Sequence, residues 1–216
     1  MKPAFDPTLY LVTDPDLGRG RPLEAIVEAA VRGGATLVQL RDKGAGGGAL
    51  LEQALALKRL LLPLGVSLII NDRVDVAAAA GLGCHLGQTD LPARAARSIL
   101  GPDALLGLSL DAVEQAAAAD PDLLDYLAFG PFAGTTTKAD AGPAVGAARL
   151  AEVRKRTHLP LVAIGGIGRG NTGEAIAAGA DGVAVVSAIV AADDPEAAAR
   201  SIRNAIDDAR NRKGAA

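Results

Sequence analysis

A chain of 216 residues, half of them hydrophobic, can build one large domain or two small ones around a substantial core. No apolar run approaches the ~20 residues of a membrane helix, and a net charge of −3 argues against a general nucleic-acid binder, so any anion must be met by a local positive cluster. The single cysteine, Cys84, excludes an internal disulfide, and with no apolar leader after Met1-Lys2-Pro3 the expected compartment is the cytoplasm.

Short apolar runs then alternate with longer helix-like stretches. The first strand is predicted over Leu9–Thr13, followed by Asp14 and Pro15 in what reads as an ordinary turn. Pro22–Arg32 has helix start chemistry, with Gly33 and Gly34 as its stop. The second strand, Thr36–Leu40, runs into Gln39-Leu40-Arg41-Asp42-Lys43. Alternate strand residues share a face, so Gln39, Arg41 and Lys43 point one way. A guanidinium fork beside an ammonium suits a diphosphate. The plainer alternative is a strand end paired with neighbouring carboxylates. Ala45–Gly48 then has the composition of a mobile flap, ahead of a helix predicted over Gly48–Leu62.

The third strand, Ser67–Ile70, delivers Asn71, Asp72 and Arg73 before a helix over Val74–Ala80. The fourth, Gly83–Leu86, leads into Gly87-Gln88-Thr89-Asp90. Asp72 and Asp90 follow adjacent strands beside a basic group, which is what a Mg2+–diphosphate complex needs; for either aspartate alone the alternative is a cap on the next helix, while the two together favour metal. Alternation sets Cys84 and His85 on opposite faces, with Cys84 as a small buried apolar residue and His85 as a packed interior histidine. With His158 in a surface loop, these residues lack the spacing of a zinc site.

A weak helical pattern over Leu91–Leu100 precedes the fifth strand, Leu105–Leu108, which delivers Ser109; Ala112–Ala119 is helix-like. The sixth strand, Tyr126–Phe129, breaks at Gly130-Pro131 into a loop ending Thr135-Thr136-Thr137-Lys138. Hydroxyls, backbone N–H groups and a lysine at a strand end can cradle phosphate, the alternative being a polar surface loop with a solvated lysine. A helix over Val145–Arg156 precedes the seventh strand, Leu161–Ile164, which ends in Gly165-Gly166. A helix over Asn171–Ala178 precedes the eighth, Gly182–Val186, which ends at Ser187. Glycines and a small polar residue after these two strands match the phosphate site that many barrels build there. A last helix is predicted over Pro195–Arg210, with about 210–216 as a disordered tail.

Eight such units without a composition break predict one (β/α)8 TIM barrel over residues 1–216. A doubly wound open sheet normally holds fewer strands. Barrels bind ligands where their strands end, so the strand-end residues carry the function.

Taken together, Gln39–Lys43, Asn71–Arg73, His85–Pro92, Gly130–Lys138, Ala163–Ile167 and Val185–Ile189 resemble the thiamine-phosphate synthase (thiamine-phosphate pyrophosphorylase) family, in its order and approximate spacing over nearly the whole chain. The resemblance implies a transferase that joins a hydroxymethylpyrimidine diphosphate to a hydroxyethylthiazole phosphate and releases pyrophosphate. By motif, Gln39, Leu40, Arg41, Asp42, Lys43, Asn71, Ser109 and Lys138 hold the pyrimidine diphosphate, with Arg41, Lys43, Ser109 and Lys138 assisting its departure. Asp72 and Asp90 ligate Mg2+, and Thr135, Thr136, Thr137, Gly166, Val186 and Ser187 hold the thiazole phosphate. The expected partners are these small phosphates, with no nucleic acid and no membrane, and a homo-oligomer is compatible.

Two stretches depart from the family pattern. Ser109 is followed by Leu110 and Asp111 where a His or Thr often stands, and Phe132-Ala133-Gly134 replaces a common Phe-Pro pair. Three alternatives compete: a thiazole tautomerase on the same barrel, a non-catalytic phosphate-ligand sensor, and a sugar-phosphate isomerase.

Overall fold

The computed structural model describes residues 5–135, 137 and 142–214. Eight parallel strands close into a barrel in chain order: β1 (Leu9–Val12), β2 (Leu37–Leu40), β3 (Ser67–Asn71), β4 (Gly83–Leu86), β5 (Leu106–Leu110), β6 (Tyr126–Phe129), β7 (Leu161–Ile164) and β8 (Gly182–Val185). β8 pairs back onto β1 through Leu9 and Val183, so no strand edge is left open. The predicted strands stand within a residue or two of these bounds, and the open-sheet alternative is excluded.

Strand alternation sorts the apolar residues into two layers. Tyr10, Val12, Leu37, Ile69, Leu105, Tyr126, Ala128, Val162 and Ala184 pack together inside the barrel. Their neighbours Leu9, Leu11, Val38, Leu40, Ile70, Cys84, Leu127, Phe129, Leu161 and Val183 join the larger layer beneath the helices. Both faces being covered explains why the strands read as continuous apolar runs. Gly107 makes a specific interior packing possible: a Cβ there would overlap the Tyr126 ring, its partner in register across β5 and β6.

The helices are α1 (Leu23–Arg32), α2 (Gly47–Leu61), α3 (Val74–Ala80), α4 (Ala93–Leu100), α5 (Gln115–Ala118), α6 (Gly146–Arg154), α7 (Arg169–Ala177), α8 (Ser187–Val190) and α9 (Pro195–Gly214). Each lays a few apolar residues on the barrel; α2 does so with Leu50, Ala54, Leu57 and Leu61 at helical spacing. Truncating a fully buried leucine such as Leu57 to alanine costs ~2–5 kcal/mol.

Four differences from the sequence expectation have local causes. The helix expected over Ala112–Ala119 shrinks to α5, because Gln115 Oε1 accepts the Asp111 and Ala112 N–H groups and holds the segment before it as a turn. Gly47 and Gly48 belong to the first turn of α2, so the glycine-rich run is partly helix. α8, a single turn directly after the predicted eighth strand, is too short for its periodicity to show in the sequence. The tail expected from about residue 210 is instead helix as far as Gly214. Ile202, Ile206 and Ala209 continue the buried stripe, and Arg210 donates to Thr8 Oγ1 at 3.1 Å. Among the described residues, no helix is long and apolar enough to cross a membrane.

Candidate active site

The C-terminal ends of the strands gather most of the expected residues around one mouth. On the β1–β2 arc, Arg41 Nη1 lies 2.8 Å from Asp14 Oδ2, with both side chains largely sheltered. Thr13 ties the same strand ends together, its Oγ1 accepting the Arg41 N–H at 2.9 Å and donating to the Arg41 carbonyl at 3.2 Å. Asp14, which read as part of an ordinary turn, therefore orients the guanidinium. The fork keeps further N–H donors for a ligand. The Lys43 ammonium lies 3.7 Å from Asp72 Oδ2 and is more exposed. Both the basic pair and its pairing with carboxylates are thus present.

Asp42 and Leu40 point elsewhere. Asp42 Oδ1 accepts the Gly44 and Ala45 N–H groups, each at 3.0 Å, and organises the loop before α2. Leu40 lies in the layer between barrel and helices, leaving its backbone as the part that can face a ligand.

Asp72 sits just past β3 in the left-handed region, at φ 60°, which asparagine and aspartate tolerate better than most residues. Its N–H donates to the His85 carbonyl at 2.9 Å, which fixes it against β4. Burial and the hydrogen-bonded Asp90 carboxyl push the Asp72 carboxyl up to about 6, while Lys43 and the Asn71 side chain oppose the rise. Asp90 Oδ2 accepts the Gly87 N–H at 2.6 Å. Neither aspartate caps a helix: α3 is preceded by Arg73 and α4 by Pro92, both without a side-chain cap. Arg73 and Asp75 pair with each other at 2.6 Å on the exterior, and that contact lowers Asp75 to about 2.

Two carboxyl groups held this close repel when both ionise, and a divalent cation removes that cost, so their donor chemistry fits Mg2+. Among the described residues, no group of three His, Cys, Asp or Glu side chains can hold a metal. A cation here would need ligand oxygens and water besides the two aspartates, which is the usual habit of Mg2+.

Beneath the mouth, the interior is polar along one line. Gln39 Nε2 donates to the Tyr10 hydroxyl at 2.5 Å, and the Tyr10 and Tyr126 hydroxyls are 2.9 Å apart. His85 Nδ1 lies 2.7 Å from the Tyr126 hydroxyl, and His85 Nε2 lies 2.9 Å from Ser109 Oγ. Burial lowers His85 to about 4, keeping the imidazole neutral, and raises both phenols. Burial likewise pushes the Cys84 thiol up to about 12, so it is no nucleophile. His85 is the packed interior histidine that strand alternation predicted.

The opposite arc is backbone and small side chains. Phe132 and Ala133 donate to the Ile164 and Gly165 carbonyls at 2.8 and 3.0 Å, zipping the loop after β6 to the loop after β7. Gly166, at φ 65°, lies so close that a Cβ would come within 2.6 Å of the Ala133 and Gly134 carbonyl oxygens. Val186 faces the barrel interior and Ser187 opens α8. The Thr137 N–H donates to Thr135 Oγ1 at 3.2 Å. Thr136 and Lys138 lie outside the described residues.

A model of the family described as thiamine monophosphate synthase matches residues 9–189. The chain belongs to that family. Over 207 residues it is 57% identical to a thiamine-phosphate synthase of Xanthobacter autotrophicus, covering 95% of this chain and 98% of the other. The thiamine-phosphate synthase of Azorhizobium caulinodans is 52% identical over 207 residues, again 95% and 98% covered. Among solved structures, a thiamine phosphate pyrophosphorylase from Pyrococcus furiosus matches with a TM-score of 0.86 and 33% identity, over 94% of this chain and 97% of that one.

For this thiamine monophosphate synthase family member, Gln39, Arg41, Lys43, Asn71, Asp72, Asp90, Ser109, Gly166 and Ser187 all stand at the strand ends or the interior just beneath them. Asp14, Tyr10 and Tyr126 are additional polar partners that motif and spacing did not single out. A usable signal did exist for the tyrosines. They sit at inward positions of predicted strands, and a buried phenol needs a hydrogen-bond partner.

Proposed function

We propose that the chain joins 4-amino-2-methyl-5-(diphosphooxymethyl)pyrimidine to 4-methyl-5-(2-phosphooxyethyl)thiazole, giving thiamine phosphate and pyrophosphate. Its class, a transferase releasing pyrophosphate, follows from the family. The observation that carries the finer reading is the division of one mouth into two unlike arcs. Arg41, Lys43, Asp72 and Asp90 form a charged arc suited to a diphosphate, while Gly165, Gly166 and Ser187 form a backbone-rich arc suited to a monophosphate.

The bond from the pyrimidine methylene to the diphosphate oxygen breaks, its electron pair leaving with pyrophosphate. The thiazole nitrogen then donates its lone pair to the methylene carbon. No proton has to move, so no strong base is required. That accords with a site whose histidine is buried between Tyr126 and Ser109 and whose cysteine is buried on the far face of β4. Arg41 and Lys43 stabilise the departing charge from fixed positions, and the two arcs align the reacting atoms.

Asp72 and Asp90 would hold Mg2+, which supplies charge neutralisation for the leaving diphosphate. A cytoplasmic enzyme working on small phosphates completes the reading. The test is direct: purified protein with both heterocycle phosphates and Mg2+ should form thiamine phosphate and pyrophosphate in equal amounts. Product from one heterocycle alone, or none from both, would overturn it.

A further inference from the structure

The interior line of polar groups draws one side chain from each of five strands: Gln39, Tyr10, Tyr126, His85 and Ser109. Its middle is fully enclosed, with Tyr10, Tyr126 and His85 exposed by 1%, 0% and 5%, and Val12, Leu37, Ile69 and Val162 sharing the interior. Only Ser109, at the β5 end, is partly open. Polar groups in such surroundings must satisfy one another.

Counting protons orients the chain. Gln39 supplies an amide N–H to Tyr10. Three links remain, between Tyr10 and Tyr126, Tyr126 and His85, and His85 and Ser109. Four protons are available for them: two phenolic, one on the neutral imidazole and one on the serine hydroxyl. One proton is therefore surplus. Left on either tyrosine it would point into apolar packing without an acceptor, which is the costly arrangement. Left on Ser109 it can turn to the mouth.

We propose that Tyr126 and His85 are positioning residues, at the far end of a one-way hydrogen-bond chain that starts at Gln39 and Tyr10, and that they make Ser109 a hydrogen-bond donor toward bound substrate. Tyr10 donates to Tyr126, Tyr126 donates to His85 Nδ1, and His85 Nε2–H donates to Ser109 Oγ. The serine lone pair is thereby occupied from below, and its hydroxyl proton is directed outward. This wall of the mouth selects a ligand that offers an acceptor, such as a ring nitrogen of an aminopyrimidine. Gln88 Nε2 donates to the Ser109 carbonyl at 2.6 Å, and Gln115 Nε2 donates to Gln88 Oε1 at 2.9 Å, so the backbone beneath the hydroxyl is held too. The selection of an aminopyrimidine rests on the proposed reaction; the direction of the chain does not.

The test reads the tautomer of His85 in substrate-free protein labelled with 15N-histidine. The chain has two histidines, and His158 is exposed, so long-range proton–nitrogen spectra distinguish them readily. The expected result is an unprotonated Nδ1 and a protonated Nε2; the opposite tautomer would overturn the proposal. Tyr126→Phe keeps a ring against Phe5 and Tyr10 but removes the donor to Nδ1. It should abolish the fixed tautomer and weaken calorimetric binding of the aminopyrimidine diphosphate about tenfold, the scale of one hydrogen bond. Tyr10→Phe should keep the tautomer, because Tyr126 still donates to Nδ1. A Tyr126→Phe protein with wild-type tautomer and affinity would also sink the idea. Failure of the proposed reaction would show separately, as a wild type with the expected tautomer and no turnover.

Discussion

Asp14 and Arg41 meet across the ends of β1 and β2, with Arg41 Nη1 donating to Asp14 Oδ2 at 2.8 Å. The pair leaves most of the guanidinium fork unused while fixing its direction, which is the arrangement a preorganised anion site requires. It also makes Asp14 a residue whose loss reaches the ligand through Arg41.

Asp14→Ala should therefore raise KM for the pyrimidine diphosphate about tenfold and cost ~1–3 kcal/mol of stability, since a sheltered guanidinium loses its partner. Asp14→Asn, which keeps an acceptor at the same reach, should fall between the two. Steady-state kinetics and thermal melts of both variants check this. Wild-type KM in Asp14→Ala would show that Arg41 needs no orienting partner.

Removal of metal separates a synthase from a tautomerase built on the same barrel. EDTA should silence the wild type until Mg2+ is restored. Asp72→Asn and Asp90→Asn should each lose at least ~100-fold in kcat/KM, on the order of one or two lost charge contacts in the transition state. Neither variant should melt earlier than the metal-free wild type. The decisive measurement is turnover across a Mg2+ titration; full activity in both variants rules out a shared metal site.

The raised Asp72 carboxyl has a pH signature in the metal-free protein. Its folded value of about 6 exceeds the ordinary carboxylate value, so the folded state holds a proton that the unfolded chain has released. Its stabilising contribution is complete below the unfolded value and is lost as pH rises through about 6. Melting temperature should fall across that window in the wild type and less so in Asp72→Asn. Equal slopes in the two proteins would mean that Asp72 is not perturbed.

Gly166→Ala tests the backbone-rich arc. The residue needs φ 65°, and the new Cβ would press on the Ala133 and Gly134 carbonyl oxygens at 2.6 Å. The strained backbone alone costs on the order of 1 kcal/mol. KM for the thiazole phosphate should rise at least ~10-fold, with a smaller change for the pyrimidine diphosphate, as the loops after β6 and β7 are driven apart. A change confined to the pyrimidine substrate would place the monophosphate elsewhere.

Lys138→Ala probes a residue outside the described set, whose role rests on the threonine-loop motif alone. Loss of one charge contact to the departing diphosphate should lower kcat/KM by at least ~100-fold, on the order of 3 kcal/mol. Kinetics within a few-fold of wild type would return Lys138 to a solvated surface lysine.

The alternation of buried strands and amphipathic helices is written locally, and that is why the barrel was legible from the chain alone. Leu161–Ile164 and Gly182–Val185 are apolar because both faces of a parallel sheet are covered, and α1, α3 and α4 each run into a glycine that ends them. The same locality made the strand-end residues Arg41, Asp72 and Ser187 visible as a set. It also misplaced the tail: α9 runs on past Arg210 to Gly214, its last turns anchored where Arg210 donates to Thr8 Oγ1 and the Asp181 carbonyl, contacts that only packing reveals. What closure of the barrel decided is which strand ends face one another. Asp14 and Arg41 are 27 residues apart, and His85 and Tyr126 are 41 apart, and nothing local distinguishes those partners from other polar residues nearby. Such pairings exist because eight twisted strands return to their start, bringing β4 and β6 side chains into a shared interior too apolar to leave either of them unbonded.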